Sequence, residues 1–182
     1  MLNLGLLGKG KPASQQLAVL AGAVLPDDPM FVFYFWEKIL RGLPESVIWE
    51  QYFDARWQMV FDLFHSFPVA IFGGALSFWL QWKAMALFWA SMLLHSLGDI
   101  FVHREDAHRH FYPLLDWQLI SPVSYWDPNF HGDVFSVLEI LMVGMVGIWI
   151  WRGANWVGTK IIVGSILTMY VGYLGFVIVV WM

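Results

Sequence analysis

Sixteen consecutive residues, His95 to His110 (HSLGDIFVHREDAHRH), hold four of the six histidines in the chain, together with Asp99, Glu105 and Asp106. They follow the apolar run KAMALFWASMLL. Residues three or four apart share a helical face. If the helix continues past Val102, His95, Asp99, His103, Asp106 and His110 line one stripe. His-x-x-x-Asp presents an imidazole and a carboxylate together, as many helical metal sites do. Ionisable groups within or near a membrane span are expensive unless paired, hydrated or bound to an ion, so a divalent cation is the expected occupant. His108 leaves the stripe and reads as a hydrogen-bonded interfacial residue. Arg104, Glu105 and Arg109 read as solvated or salt-bridged groups, and the two arginines are also candidates to hold an anionic part of a substrate.

Three further sets belong to the same chemistry. Asp27 and Asp28 lie between Pro26 and Pro29 at the end of an apolar segment, where they suit a hard cation or the cap of the next helix. His65-Ser66 sits where an aromatic, charged region meets an apolar one. In NFHGDVFSVLE, His131 and Glu139 are eight apart and so nearly aligned on a helix. Glu139 has apolar flanks and should be protonated, paired or near a metal. Asp133 suits an N-cap. The expected metal ligands are therefore Asp27, His65, His95, Asp99, His103, His110 and His131, with Asp28 and Glu139 as proton-transfer carboxylates.

The elements that must position these groups read as membrane segments. Apolar residues make up 59% of the 182, against a usual 45–50%, charged residues 13%, and mean hydropathy is +0.60. The net charge of −4 and the lack of a basic stripe argue against nucleic-acid binding. The absence of cysteine rules out disulfides and thiolate zinc sites. A bilayer core of about 30 Å takes roughly 20 apolar residues as helix. The expected spans are Lys160 to Met182, Val134 to Trp151, Phe67 to Trp82, Ala84 to Val102 and a shorter Ser14 to Leu25. The N-terminal segment lacks a cleavage site and reads as retained. Phe31 to His65 reads as an amphipathic interfacial region broken at Pro44, and residues 104–133 as a polar folded loop containing SPVSYWDP, a possible lid or pocket wall. The expected fold is an all-α integral membrane protein: one membrane domain over residues 1–182, with about five membrane-embedded helices. If all five cross, Lys9, Lys11, Lys83, Arg152 and Lys160 share one side, which the positive-inside rule makes cytoplasmic. Every candidate ligand then lies at the opposite face.

Pro26-Asp27-Asp28, His65-Ser66 and His95-x-x-x-Asp99 followed by Tyr112-Pro113 occur in an order that resembles the YdjM-like family of bacterial inner-membrane proteins, described as predicted metal-dependent hydrolases. The resemblance covers about residues 20 to 115. It implies Asp27, His65, His95 and Asp99 as metal ligands and a multi-pass protein of the bacterial inner membrane, whose N-terminus the charge pattern places in the cytoplasm. The chain departs from the family pattern. The second aspartate of the first motif is displaced, Phe64 stands where the family has threonine, and the histidines from His103 to His110 are additional.

These readings point to a hydrolase-like membrane protein using zinc, manganese or iron at its non-cytoplasmic face, with a lipid or lipid-linked phosphoester as substrate and membrane lipids as neighbours. Competing readings are a non-catalytic subunit or assembly factor of a larger membrane complex, a haem or pigment protein with His65 and His95 as axial ligands, and an ion pathway through Glu139.

Overall fold

In the computed structural model the chain is helical, and among the described residues there is no strand. The structure describes residues 1–125 and 127–181, with side chains as far as residue 172. The C-terminal part of the Lys160–Met182 segment, and Trp126 of SPVSYWDP, lie outside that description.

Eight α-helices follow in order: α1 (Ala13–Val24), α2 (Asp28–Phe35), α3 (Glu45–Tyr52), α4 (Ala55–Phe64), α5 (Phe67–Trp79), α6 (Lys83–Asp99), α7 (Gly132–Gly153) and α8 (Val157–Trp181). Local chemistry sets several boundaries. Asp54 Oδ1 caps α4 by accepting from Arg56 N at 2.9 Å. Ser66 Oγ caps α5 by accepting from Val69 N at 3.2 Å, with Pro68 in the first turn. Asp28 and Pro29 open α2.

Helix α6 is central and lies between α1 and α5. Two glycines permit the approach. A Cβ on Gly22 of α1 would stand 2.2 Å from the Phe88 carbonyl oxygen, and one on Gly73 of α5 would stand 2.3 Å from the Trp89 ring. The N-terminal segment is pinned to both neighbours by a buried polar relay. Asn3 Nδ2 donates to Ser91 O and Oγ at 2.8 Å, and Ser91 Oγ donates to the Val19 carbonyl at 2.6 Å. Leu4, Ile150 and Val163 form one core between that segment, α7 and α8. Phe33, Ile48, Tyr52 and Phe61, with Trp57, form an aromatic core that folds α2, α3 and α4 onto one another.

Two described helical stretches are long and apolar enough to cross a membrane: Ala55–Trp79 and Gly132–Gly153. A third is the pair Ala13–Val24 and Asp28–Leu40, bent by 58° at residues 25–27. A helix break does fall at the boundary drawn from sequence, since α4 ends at Phe64 and α5 begins at Phe67. α4, read as part of the amphipathic interfacial region, forms with α5 a 25-residue apolar stretch across that break. The 17-residue α6 falls short of a full span and carries His95 and Asp99 at its end.

The expected histidine stripe does not form as a helical face. α6 ends at Asp99, and the residues after it turn away in a loop. The loop is strapped back by Tyr125 N to Val102 O at 3.0 Å and Ser121 N to His103 O at 3.2 Å. Phe67 N donates to His110 O at 2.8 Å, and Ser66 Oγ donates to the Tyr112 carbonyl, so the loop also closes over the start of α5.

Candidate metal centre

Three breaks in helical structure converge. Asp27 sits at the bend between α1 and α2, His65 at the joint between α4 and α5, and His95 and Asp99 on the last turns of α6. Asp27, His65 and His95 each offer one ligand atom, and these atoms lie within 4.8 Å of one another. Among the described residues it is the one set of three such donors this compact. Nε2 of His65 is 3.5 Å from Asp27 Oδ1 and 3.5 Å from Asp99 Oδ2. Nε2 of His95 is 3.3 Å from Asp27 Oδ1 and 2.9 Å from Asp99 Oδ2. A tetrahedral zinc site with ligands at about 2.0–2.1 Å requires ligand atoms about 3.3 Å apart, since a tetrahedron's edge is about 1.63 times its centre-to-corner distance. Four of the six separations such a site would have, at 2.9–3.5 Å, lie around that value.

Poorly satisfied atoms support the same reading. His65 Nε2, His95 Nε2 and Asp99 Oδ2 are buried with no well-aligned hydrogen bond, and their only polar neighbours are one another and Asp27, with His95 Nε2 and Asp99 Oδ2 2.9 Å apart. Buried polar atoms left that way are rare because desolvation is not repaid. On His65 the other nitrogen is committed. Nδ1 lies 2.9 Å from the Phe61 carbonyl, which can only accept, so the proton belongs on Nδ1 and the Nε2 lone pair faces the cluster. A backbone carbonyl that fixes the tautomer of an inward-facing imidazole is the usual support of a metal-ligating histidine. The set of two imidazoles and two carboxylates fits zinc, manganese or iron(II).

The cluster forms one wall of a cavity of about 820 Å³. Asp27, His95, Asp99 and His103 line it, and so do Phe31, Trp49, Tyr52, Phe135, Leu138 and Glu139. Glu139, on α7, accepts a hydrogen bond from Tyr170 Oη at 2.5 Å and stands open to this cavity. A smaller cavity of about 180 Å³ lies elsewhere, among Lys9, Lys11, Gln16, Asn155 and Thr159.

The remaining candidate residues separate into those the fold gathers and those it does not. His103 lines the cavity. Its Nδ1 is 2.8 Å from Asp106 Oδ2, and its Nε2 is 3.9 Å from Asp99 Oδ1. Burial alone would lower the His103 pKa, but the hydrogen bond and charge of Asp106 raise it, and burial acts against the same contact, which lowers the Asp106 pKa. His110 is buried beside Phe67 and His108, apart from the compact ligand set. His131 is exposed and has φ +68°; it precedes α7 rather than joining it, so it does not align with Glu139. Asp28 opens α2 and lines neither cavity. Asp133 is the second residue of α7, bonded to Val134 N, not the residue before the helix.

Neither Arg104 nor Arg109 lines the cavity. Arg104 stacks on the Phe130 ring at 3.9 Å and donates to Ser121 O. Arg109 donates from Nε to Asp62 Oδ2 at 2.6 Å and from Nη1 to Asp116 at 2.9 Å. Both are structural braces here.

Two residues gain importance only in three dimensions. His108, read from sequence as interfacial, is 0% exposed and stacks on His65 with ring centroids 3.9 Å apart and planes 13° apart. Burial, reinforced by neighbouring His65, lowers its pKa to about 4. His110 is likewise lowered to about 4 by burial and by His108. Asp62, which no motif marked, is the buried acceptor for both Arg109 N and Nε and lies 3.8 Å from His108 Nδ1. Its one sequence signal is a carboxylate at position 62 within otherwise apolar VFDLF. No family model matches this chain, and neither curated proteins nor solved structures include a match.

Proposed function

We propose that this is a membrane-embedded metal-dependent hydrolase that cleaves an ester bond in a lipid substrate. The observation that carries the reading is the convergence of two imidazole nitrogens and two carboxylate oxygens, three of them buried with no well-aligned hydrogen bond, beside a large apolar cavity. Asp27, His65, His95 and Asp99 hold the ion, in line with the motif resemblance to YdjM-like proteins. A divalent ion held there would supply Lewis acidity and lower the pKa of a nearby water. Asp99 and Asp27 offset its charge, and the Phe61 carbonyl orients His65. Glu139 is the cavity carboxylate outside the ligand set, and it carries the proton from the attacking water to the leaving alcohol oxygen as the ester C–O bond breaks. The aromatic walls bind the apolar chain and exclude bulk water.

The membrane placement completes the proposal: a bacterial inner-membrane protein with a cytoplasmic N-terminus, in which α6 and α8 join the long apolar stretches to give about five embedded segments. The haem alternative is disfavoured by geometry. Asp99 Oδ2 lies 3.5 and 2.9 Å from the two Nε2 atoms, in the space a macrocycle between axial histidines needs.

Elemental analysis of the purified protein tests this. Wild type and His131→Ala should each carry about one equivalent of zinc, manganese or iron, and His95→Ala and Asp99→Ala should lose it while remaining monodisperse in detergent. Equal metal in all four, or none in wild type, refutes the centre.

A further inference from the structure

Every charged side chain that lines the large cavity bears on what it can hold. Among the described residues these are Asp27, Asp99 and Glu139, with no lysine or arginine. The residues whose side chains are not described, Trp126 and 173–182, carry no basic group in their sequence either. His103 also faces the cavity, but its Nδ1 is committed to the Asp106 carboxylate at 2.8 Å, and that pair brings no net positive charge. Arg104 and Arg109, the nearest strong cations in sequence, are held by Phe130 and Ser121, and by Asp62 and Asp116. Lys9 and Lys11 line the other cavity.

Charge counting then selects the ligand. A divalent ion is neutralised by the Asp27 and Asp99 carboxylates, and Glu139 adds a further acid. A phosphate head group would bring one or two negative charges into a low-dielectric space with no cation left to meet them, an arrangement that is strongly unfavourable. An ester or amide head brings none. Its glycerol hydroxyls or amide N–H can donate to Glu139, which also accepts from Tyr170, and to the hydroxyl oxygens of Tyr34 and Tyr52, whose own protons go to Glu45 and Met30 Sδ. The volume of about 820 Å³ falls within the range of about 300–1,000 Å³ that holds lipid- and drug-sized ligands. The walls of Phe31, Phe33, Trp49, Phe135, Leu138 and Met142 suit a hydrocarbon chain.

We propose that the cavity binds an uncharged long-chain amphiphile, a fatty-acid ester or amide, with its carbonyl head at the Asp27–His95–Asp99 wall, and that it discriminates against anionic phospholipids. This rests on the hydrolase reading for its site and replaces the phosphoester expected from location alone.

The test is competition in detergent micelles. A photoreactive diazirine analogue of monoolein is crosslinked to the wild-type protein, adducts are mapped by mass spectrometry, and unlabelled monoolein and oleoyl lysophosphatidic acid, which share one acyl chain, compete for the site. Monoolein should displace the probe at least about tenfold more effectively, equivalent to about 1.4 kcal/mol. Adducts should fall on Phe31, Trp49 or Phe135, and Leu138→Trp, which fills the cavity, should abolish them. Equal or better competition by lysophosphatidic acid, or adducts confined to other helices, overturns the proposal. The competition is run on the protein as purified and again after metal removal with a chelator, where no ester turnover occurs, so the two ideas fail separately. A wild type purified without metal that prefers monoolein defeats the hydrolase and spares this inference, and a metal-loaded protein that prefers lysophosphatidic acid does the reverse.

Discussion

Arg109 shares its guanidinium between two carboxylates whose surroundings differ, and their contributions should differ accordingly. The Asp62 side chain is 2% exposed and that of Asp116 is 86% exposed. Asp62→Asn keeps the shape and leaves an oxygen to accept from Arg109 N, which now lies 2.9 Å from Oδ1. It removes the charge facing Nε at 2.6 Å. A hydrogen bond to a charged group contributes about 1.5–3 kcal/mol, and breaking a buried pair outright costs about 3–5 kcal/mol. Because Arg109 is itself 24% exposed and keeps Asp116, the lower figure applies, about 2 kcal/mol. Asp116→Asn removes an ion pair at 2.9 Å that solvent screens, for about 0.2–1 kcal/mol. Denaturant unfolding in detergent, arranged as double-mutant cycles with Arg109→Gln, should give a coupling above about 1 kcal/mol for Asp62 and below about 0.5 kcal/mol for Asp116. Asp62 also approaches His108, which stacks on His65, so Asp62→Asn should weaken metal binding about tenfold, the lower end for groups that support ligands. Equal couplings, or an unfolding change under about 0.5 kcal/mol for Asp62→Asn, would refute the idea that this carboxylate anchors the loop beneath the ligand cluster.

The other expectations are simpler to check. His108 and His110 have folded pKa values near 4 against an ordinary 6.5, so the unfolded chain binds more protons between those limits and stability falls as pH drops from 6.5 to 4, by about 3 kcal/mol per histidine at most. His103 shifts the other way and changes stability only above pH 6.5, so a flat thermal-unfolding profile from pH 7 to 4.5 would contradict the burial of the pair. Gly22→Ala should destabilise by about 1–3 kcal/mol because its new carbon meets a backbone oxygen, whereas Gly144→Ala, with nothing within 4 Å, should be close to neutral in the same unfolding assay. Glu139→Gln should lower ester turnover about 10²- to 10⁴-fold with metal content unchanged, and loss of the ion instead would show that Glu139 is a ligand.

Composition alone determined the broad class of this protein. A chain so apolar and so poor in charge folds as helices, because each helix satisfies its own backbone hydrogen bonds where water is scarce. The four residues that meet at the cavity wall were singled out in the sequence, His95 and Asp99 by their spacing at the end of an apolar run and Asp27 and His65 through the motif resemblance. What sequence could not supply was which partners meet. The stripe from His95 to His110 assumed a helix that stops at Asp99, so His103 reached the cavity through a loop and His131 was left exposed outside α7. Asp62 and His108 were invisible as functional positions because burial and stacking on His65 come from α4 and the loop after α6 packing together, 46 residues apart in sequence. The cavity's missing cation was equally hidden. Arg104 and Arg109 lie near the motif in the chain, and only tertiary contacts with Phe130, Asp62 and Asp116 turn them away from it. Local periodicity fixes which residues a helix can present; long-range packing decides what they are presented to.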